Sequence, residues 1–158
     1  MNAYEERPYY LMNIARIPSK RSISDSSKSE KDELDERVRS TWHGGIVPYV
    51  FSPDFVDEIG KKNILNAMQI FENRTNGCVK FIERTTEVDY IYIVAMKECF
   101  SYIGRIGGAQ KVDLATGCKE FMRYIFHELF HVLGFEHEHI RPDRDQYISV
   151  QYENIIDG

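Results

Sequence analysis

The sequence lacks any long hydrophobic run. Its longest apolar stretch, residues 90–96 (YIYIVAM), is far shorter than the roughly 20 residues that a membrane-spanning helix needs. The first ten residues also lack the apolar core of a secretory leader, because they include two glutamates, an arginine and a proline. We therefore expect either a chain that is not secreted or a true N-terminus that lies upstream of Met1.

An excess of positive charge is absent as well. The chain has 20 lysines and arginines against 25 aspartates and glutamates, a net charge of −5. This balance argues against nucleic acids and anionic membranes as partners. The hydrophobic content of 42% in 158 residues fits a soluble, packed single domain rather than a disordered chain.

Cysteines are few and odd in number: Cys78, Cys99 and Cys118. Three thiols cannot all pair within one chain, so one is free or has its partner elsewhere. A disulfide between Cys99 and Cys118 would join the two ends of a short excursion of strands in an oxidising compartment. Three reduced, partly buried thiols fit the count equally well, and the cysteines alone leave both possibilities open.

Residues 1–40 lack the composition that is typical of a packed domain. Residues 19–30 (SKRSISDSSKSE) are rich in serine and lysine, and the next nine are mostly charged. Such a stretch has too few apolar groups to offset the entropy lost on ordering. We interpret residues 1–40 as an N-terminal segment, either a propeptide remnant or a disordered linker, and residues 41–158 as one folded domain that begins near Trp42.

Hydrophobic spacing predicts the elements of this domain. Residues 46–51 (IVPYVF) are typical of a strand, and Ser52-Pro53 are favourable residues for the start of a helix. Apolar residues at helical spacing then predict a buried helix face, which ends at Asn76-Gly77: Ile64, Ala67, Met68 and Phe71.

The second half of the domain is predicted to contain short strands and one long helix. The strand candidates are residues 78–82, 90–94, 101–103 and 111–114, with a glycine-rich turn over residues 104–108. No βαβ context supports a phosphate-binding role for that turn. From about Lys119 to Leu133 the apolar residues cover nearly every face of a predicted helix, which indicates a helix buried in the core.

This helix carries the pattern H-E-x-x-H. His127 and His131 are four residues apart, so both imidazoles project from one helix face and can hold one metal ion. Glu128 is rotated about 100° from His127, which places its carboxylate beside the metal rather than on it, as suits a general base. The pattern alone also occurs on surface helices. Here the helix is too apolar for the surface, and a bound metal compensates the burial of polar side chains.

Gly134 and His137 extend the pattern. Glycine adopts the left-handed backbone conformation that ends a helix, so the chain can turn and bring His137 back towards the same ion. Three histidine ligands leave one position open, which is typical of catalytic rather than structural zinc. The residues therefore predict one Zn²⁺ per chain, held by His127, His131 and His137, with Glu128 as the catalytic base of a hydrolase.

The longer segment 127–148 (HELFHVLGFEHEHIRPDRDQYI) resembles the extended zinc motif of the astacin family, a member of the metzincin clan. Residues 42–49 (WHGGIVPY) and 99–110 (CFSYIGRIGGAQ) resemble two further regions of that family, so the resemblance covers about residues 41–158. It implies an α+β fold of the zincin (metzincin-like) type, with a twisted, mostly parallel β-sheet, an antiparallel edge strand, a backing helix and a long active-site helix. The family's methionine turn would lie beyond Gly158, so most of the C-terminal subdomain is expected to be missing.

The resemblance also implies roles for individual residues. It makes His127, His131 and His137 zinc ligands and Glu128 the general base, and it pairs Cys99 with Cys118. Cys78 matches a cysteine whose partner would lie beyond Gly158. Glu138 matches the residue that engages the new N-terminus after propeptide removal, although by itself it is a typical surface charge. Arg141 and the charged residues after it are expected to form a structural network: Asp143, Arg144 and Asp145.

The function so predicted is that of a secreted zinc endopeptidase, in which Glu128 and the zinc ion activate water to hydrolyse peptide bonds. The substrate is an extended peptide or protein, expected to pair with an exposed edge strand near residues 110–114. Secretion is implied by the family resemblance and by the cysteine pairing, not by any visible leader. The alternative is a truncated, inactive remnant that binds zinc or peptide, and the sequence does not determine the oligomeric state.

Overall fold

The computed structural model describes residues 41–155; the predictions for residues 1–40 and for the last three residues lie outside this part. Five strands and two helices follow one another as β1 (Ile46–Phe51), α1 (Glu58–Arg74), β2 (Lys80–Glu83), β3 (Tyr90–Val94), β4 (Cys99–Ser101), β5 (Ala109–Leu114) and α2 (Met122–Val132). Within these residues no helix is long and apolar enough to cross a membrane.

The strands form one sheet in the order β2-β1-β3-β5-β4. Neighbouring strands are parallel except β4, which pairs antiparallel with β5 at one edge, for example Phe100 opposite Asp113. The predicted α+β fold, with a mostly parallel sheet and one antiparallel edge strand, is therefore confirmed. The expectation of an exposed edge at residues 110–114 is wrong, because β5 lies between β3 and β4 and β4 forms the edge.

Helix α1 begins at Glu58, five residues after the start that Ser52-Pro53 predicted. The Ser52 hydroxyl instead accepts a hydrogen bond from the Asp54 amide and closes a turn. Asp57 is the N-cap, because its carboxylate accepts hydrogen bonds from the amides of Ile59 and Gly60 and pairs with Lys119 at 3.1 Å. The predicted buried face is confirmed, and it also includes Gly60.

Helix α2 is shorter than predicted, Met122–Val132 instead of Lys119–Leu133. Phe121 has an extended backbone (φ −116°, ψ 121°), so the helix cannot begin before Met122. The helix is also less uniformly buried than its composition predicts. Its inner face is fully buried at Ile125, Leu129 and Val132, whereas Phe130 is 44% exposed.

Both helices and the sheet contribute to one hydrophobic core. Its largest fully buried apolar side chains come from α1, β3, β5 and α2: Ile64, Ile91, Ile93, Leu114, Ile125 and Leu129. Two long-range links join α2 and the residues before it to the rest of the fold. One is the disulfide between Cys99 of β4 and Cys118; the remaining cysteine, Cys78, is free and exposed. The buried Trp42 indole donates a hydrogen bond to the Val132 carbonyl at 2.8 Å.

Candidate metal centre

Three histidine side chains converge at the C-terminal end of α2. The Nε2 atom of His131 lies 3.0 Å from that of His127 and 3.1 Å from that of His137, and the third distance is 3.3 Å. His127 and His131 are one helical turn apart, and His137 reaches them from the segment after the helix. The structure thus brings together the three residues that the sequence predicted as ligands.

The donor set fits a zinc ion. Nitrogen ligands at 2.0–2.1 Å from a tetrahedral zinc are about 3.3 Å apart, close to the separations found here. Among the described residues, these histidines are the only group of three or more side chains with metal-ligand atoms so close together. Three neutral imidazoles leave a fourth position open, as a catalytic site requires.

A hydrogen bond sets the tautomer of His131. Its Nδ1 lies 2.7 Å from the Phe135 carbonyl, which can only accept, so Nδ1 carries the proton and the Nε2 lone pair faces the cluster. Burial lowers the pKa of His127 and of His137, and the positive charge of neighbouring histidines acts in the same direction. The neutral imidazole, which is the form that binds metal, is therefore favoured.

The chain reverses direction after α2 through a C-terminal cap centred on Gly134. The Gly134 amide donates to the His131 carbonyl and the Phe135 amide to the Phe130 carbonyl, at 2.8 and 3.0 Å, which together form a Schellman motif. Gly134 has φ +102°, in the left-handed region that a side chain would strain. The predicted role of Gly134 is confirmed: it lets His137 return to the histidines of the helix.

Glu128 lies on the buried side of the same helix and is 3% exposed. The pKa of its carboxyl is raised to about 7, chiefly by burial; a hydrogen bond from Ser101 acts to lower it, and the nearby charge of Asp113 acts to raise it. The Ser101 hydroxyl also lies 2.9 Å from the Glu128 backbone carbonyl, which ties strand β4 to the helix. A carboxyl with a pKa near 7 can accept and return a proton at neutral pH.

The glycine-rich turn at residues 104–108 supports this site, a role that the sequence did not indicate. The fully buried Gln110 side chain holds the turn by donating to the Gly104 carbonyl and accepting from the Ile106 amide, at 2.8 and 3.1 Å. The Gly104 amide in turn donates to the His131 carbonyl. A glutamine in alternation with Val112 and Leu114, just after a glycine-rich turn, is the signal that could have revealed it.

The charged residues after His137 form the expected network. Arg141 pairs with Glu138 at 3.0 Å and with Asp143 at 2.8 Å, and Arg144 donates to the His139 carbonyl. Glu138 is an exposed partner of Arg141 here, and its implied contact with a new N-terminus involves residues outside the described part. His139 stacks on His137 at 5.5 Å but does not belong to the convergent triad.

Residues 35–158 match the model of the family described as Astacin (Peptidase family M12A). The chain belongs to the astacin family. This match includes every residue of the site described above, together with the disulfide that joins β4 to the residues preceding α2.

Individual relatives agree with the family match. The astacin-family chain is 46% identical over 118 residues to zinc metalloproteinase nas-12 of Caenorhabditis elegans, covering 74% of this chain and 29% of that protein. It is 41% identical over 112 residues to high choriolytic enzyme 2 of Oryzias latipes, covering 70% of this chain and 39% of the relative. The chain thus spans well under half of the length of either relative.

The fold is also found in a solved structure of the family. High choriolytic enzyme 1, a hatching enzyme zinc-protease of the medaka fish Oryzias latipes, superposes with a TM-score of 0.63 at 38% identity. The superposition covers 73% of this chain and 57% of that chain. The astacin-family chain therefore has part of the fold of a zinc protease, with a histidine triad suited to a metal ion.

Proposed function

We propose that this chain is a zinc-dependent endopeptidase. The observation that carries the proposal is the convergence of the His127, His131 and His137 Nε2 atoms within 3.3 Å of one another on a helix that also bears the buried Glu128. Family membership supports the same reaction class, because the matched relatives are named as zinc metalloproteinases.

The triad would hold one Zn²⁺, which when bound supplies Lewis-acid polarisation of the scissile carbonyl and lowers the pKa of water to about 7. Glu128 acts as the general base and removes a proton from the attacking water. As the water oxygen bonds to the carbonyl carbon and the C–N bond breaks, Glu128 returns the proton to the leaving amine. Its raised pKa suits both transfers, and His131 is held in the ligand tautomer by Phe135.

The substrate would be an extended peptide segment that pairs with the edge of the sheet. The edge beside the site is β4, which is tied to the helix through the Ser101–Glu128 hydrogen bond. An added strand gains main-chain hydrogen bonds without a demand for particular side chains. Since β4 spans only Cys99–Ser101, this edge offers a short docking strand.

Residues 41–158 would then form the peptidase domain and residues 1–40 a separate N-terminal segment. The Cys99–Cys118 disulfide supports a chain that folds in an oxidising compartment, as secreted proteins do. We therefore place this protein in the secretory pathway or outside the cell.

A second candidate function is binding of zinc or peptide without turnover. It is favoured by apolar side chains that stay exposed in the segment after α2. Phe135 is 57% exposed and Tyr147 74% exposed. Exposed apolar side chains can bind a peptide segment without taking part in its hydrolysis.

The test is to express the full 158-residue chain and to measure its zinc content and its chelator-sensitive cleavage of a denatured protein. Glu128→Gln should retain zinc and lose cleavage by about 100-fold or more. Glu120→Gln is the matched control, since Glu120 is an exposed carboxylate just before the same helix and should leave both readouts unchanged.

Each outcome decides between the candidates. Zinc bound by the wild type without cleavage would favour the second candidate. Equal cleavage by the wild type and Glu128→Gln would overturn the role of Glu128. A chain that folds but binds no zinc would overturn the endopeptidase proposal and would leave only peptide binding from the second candidate.

A further inference from the structure

The segment Asn73-Arg74-Thr75 has the form Asn-x-Thr, the acceptor pattern for N-linked glycosylation when the middle residue is not proline. Of the asparagines in the chain, Asn73 alone is followed two positions later by serine or threonine. This segment contributes nothing to the zinc site. It lies where α1 ends and the chain turns towards β2.

Asn73 occupies the outer face of α1. It follows the core residue Phe71 by two positions, which is about 200° around the helix axis. The Phe71 ring packs on Phe126 and Phe130 of α2, at centroid distances of 5.3 and 5.0 Å. Asn73 is exposed and projects from the opposite side of α1, so an attached oligosaccharide would point away from α2 and its histidines.

The fold does not use the acceptor nitrogen of Asn73. Gln69 Nε2 donates to Asn73 Oδ1 at 3.3 Å, and no side-chain hydrogen bond among the described residues engages Asn73 Nδ2. The Thr75 hydroxyl, by contrast, donates to the Phe71 carbonyl at 2.8 Å and accepts from the Val79 amide at 3.1 Å. A glycan on Asn73 Nδ2 therefore displaces no side-chain hydrogen bond. Thr75, in contrast, has a structural role because its hydroxyl stabilises the end of the helix.

A second feature places the chain where this modification occurs. The Cys99–Cys118 disulfide requires an oxidising compartment during folding, and the secretory pathway of eukaryotes provides one. N-linked oligosaccharides are attached in that same compartment, on exposed asparagines of surface segments.

We propose that Asn73 is an N-linked glycosylation site. Its Nδ2 forms a bond to the anomeric carbon of an oligosaccharide, the bond from that carbon to the pyrophosphate of a lipid carrier breaks, and the lipid pyrophosphate leaves. The amide nitrogen loses one proton in the exchange. The modification does not depend on zinc or on catalysis, so it stands apart from the proposed peptidase function.

The experiment is secretion of the full 158-residue chain from eukaryotic cells behind a heterologous leader, followed by treatment with peptide N-glycosidase. The wild type should show one glycan by a mobility shift, and enzymatic release should convert Asn73 to aspartate in the tryptic peptide. Asn73→Gln should abolish the shift. Asn66→Gln, an exposed asparagine of the same helix outside the pattern, should retain it.

Two substitutions at Thr75 separate the recognition of the Asn-x-Thr pattern by the glycosylating enzyme from the role of Thr75 in folding. Thr75→Ser keeps the hydroxyl that bonds Phe71 and Val79 and should retain the glycan, whereas Thr75→Val should lose it. A wild-type chain secreted without a glycan would overturn the proposal. A shift that survives in Asn73→Gln would overturn it equally, because the sugar would then lie elsewhere.

Discussion

The backbone amide of Gly104 donates a hydrogen bond to the carbonyl oxygen of His131 at a distance of 2.8 Å. The two residues are 27 positions apart, one in the turn before β5 and the other in the last turn of α2, the helix that carries His127 and His131. The His131 carbonyl also accepts from Gly134, so the same oxygen is held from the turn and from the helix cap. The position of the His131 ring therefore depends on a loop that contains no residue of the histidine triad.

Gln110 supports that loop, so its replacement should disturb the metal site from a distance. Gln110→Leu leaves the Gly104 carbonyl and the Ile106 amide without partners, at a cost of about 2–4 kcal/mol in unfolding free energy. Zinc affinity should fall about tenfold, which is the usual effect of removing a residue that orients a metal ligand without itself binding the metal. Urea denaturation and competition with a chelator measure the two effects. Gln69→Leu, on an exposed helix face, should change stability by less than about 0.5 kcal/mol.

The left-handed conformation of Gly134 predicts a cost for any side chain there. Gly134→Ala should lower the unfolding free energy by about 1–2 kcal/mol and weaken zinc binding, because the cap that redirects the chain to His137 is strained. Gly44→Ala is the matched control, since Gly44 also has positive φ (+61°) and open space around its Cβ position. It should show a similar loss of stability with unchanged zinc affinity. Equal zinc affinity in both variants would contradict the role of Gly134.

The Cys99–Cys118 disulfide should raise the free energy of unfolding, and a reductant should abolish that contribution. It closes a loop with a sequence separation of 19 residues, for which about 3 kcal/mol is expected. The double variant Cys99→Ser/Cys118→Ser should unfold at a correspondingly lower urea concentration, and dithiothreitol should not change its midpoint. Cys78→Ser should behave as the wild type, because Cys78 is exposed and outside the bond. A double variant as stable as the wild type would argue against the bond.

The Asp89 carboxylate should make the free energy of unfolding depend on pH in the acidic range. Its pKa is lowered from 3.8, first by the hydrogen bond from the Gly108 amide and then by the Arg105 guanidinium. A carboxyl with a lowered folded-state pKa contributes stability above its unfolded-state pKa and loses that contribution as pH falls through the folded-state value. The wild type should therefore exceed Asp89→Asn in stability at neutral pH, and the difference should shrink below about pH 4. A difference that stays constant down to pH 2 would contradict the assignment.

The convergence of the three histidines could be predicted because each step depends on local geometry. Four-residue spacing places His127 and His131 on one face, and a glycine at position 134 allows the reversal that returns His137. The buried face of α1 followed from its apolar spacing in the same way. Such features need only the dihedral angles of one segment.

The features that were missed depend on partners distant in the sequence. The Asp57 cap is supported by Lys119, 62 residues later, which pairs with its carboxylate. The edge position of β4 is set by strand order, which short runs of apolar residues do not encode. The support of His131 by Gly104 likewise follows from packing of the turn against the helix.

Trp42 provides an intrinsic fluorescence probe of the region around the histidine triad. It is the single tryptophan of the chain, it is buried, and its indole N–H donates a hydrogen bond to the Val132 carbonyl at the end of α2. Emission from one indole, with no background from others, will therefore report on the end of that helix. Loading with metal, acid titration and each substitution proposed above can be followed through the same intrinsic fluorescence, without an attached label.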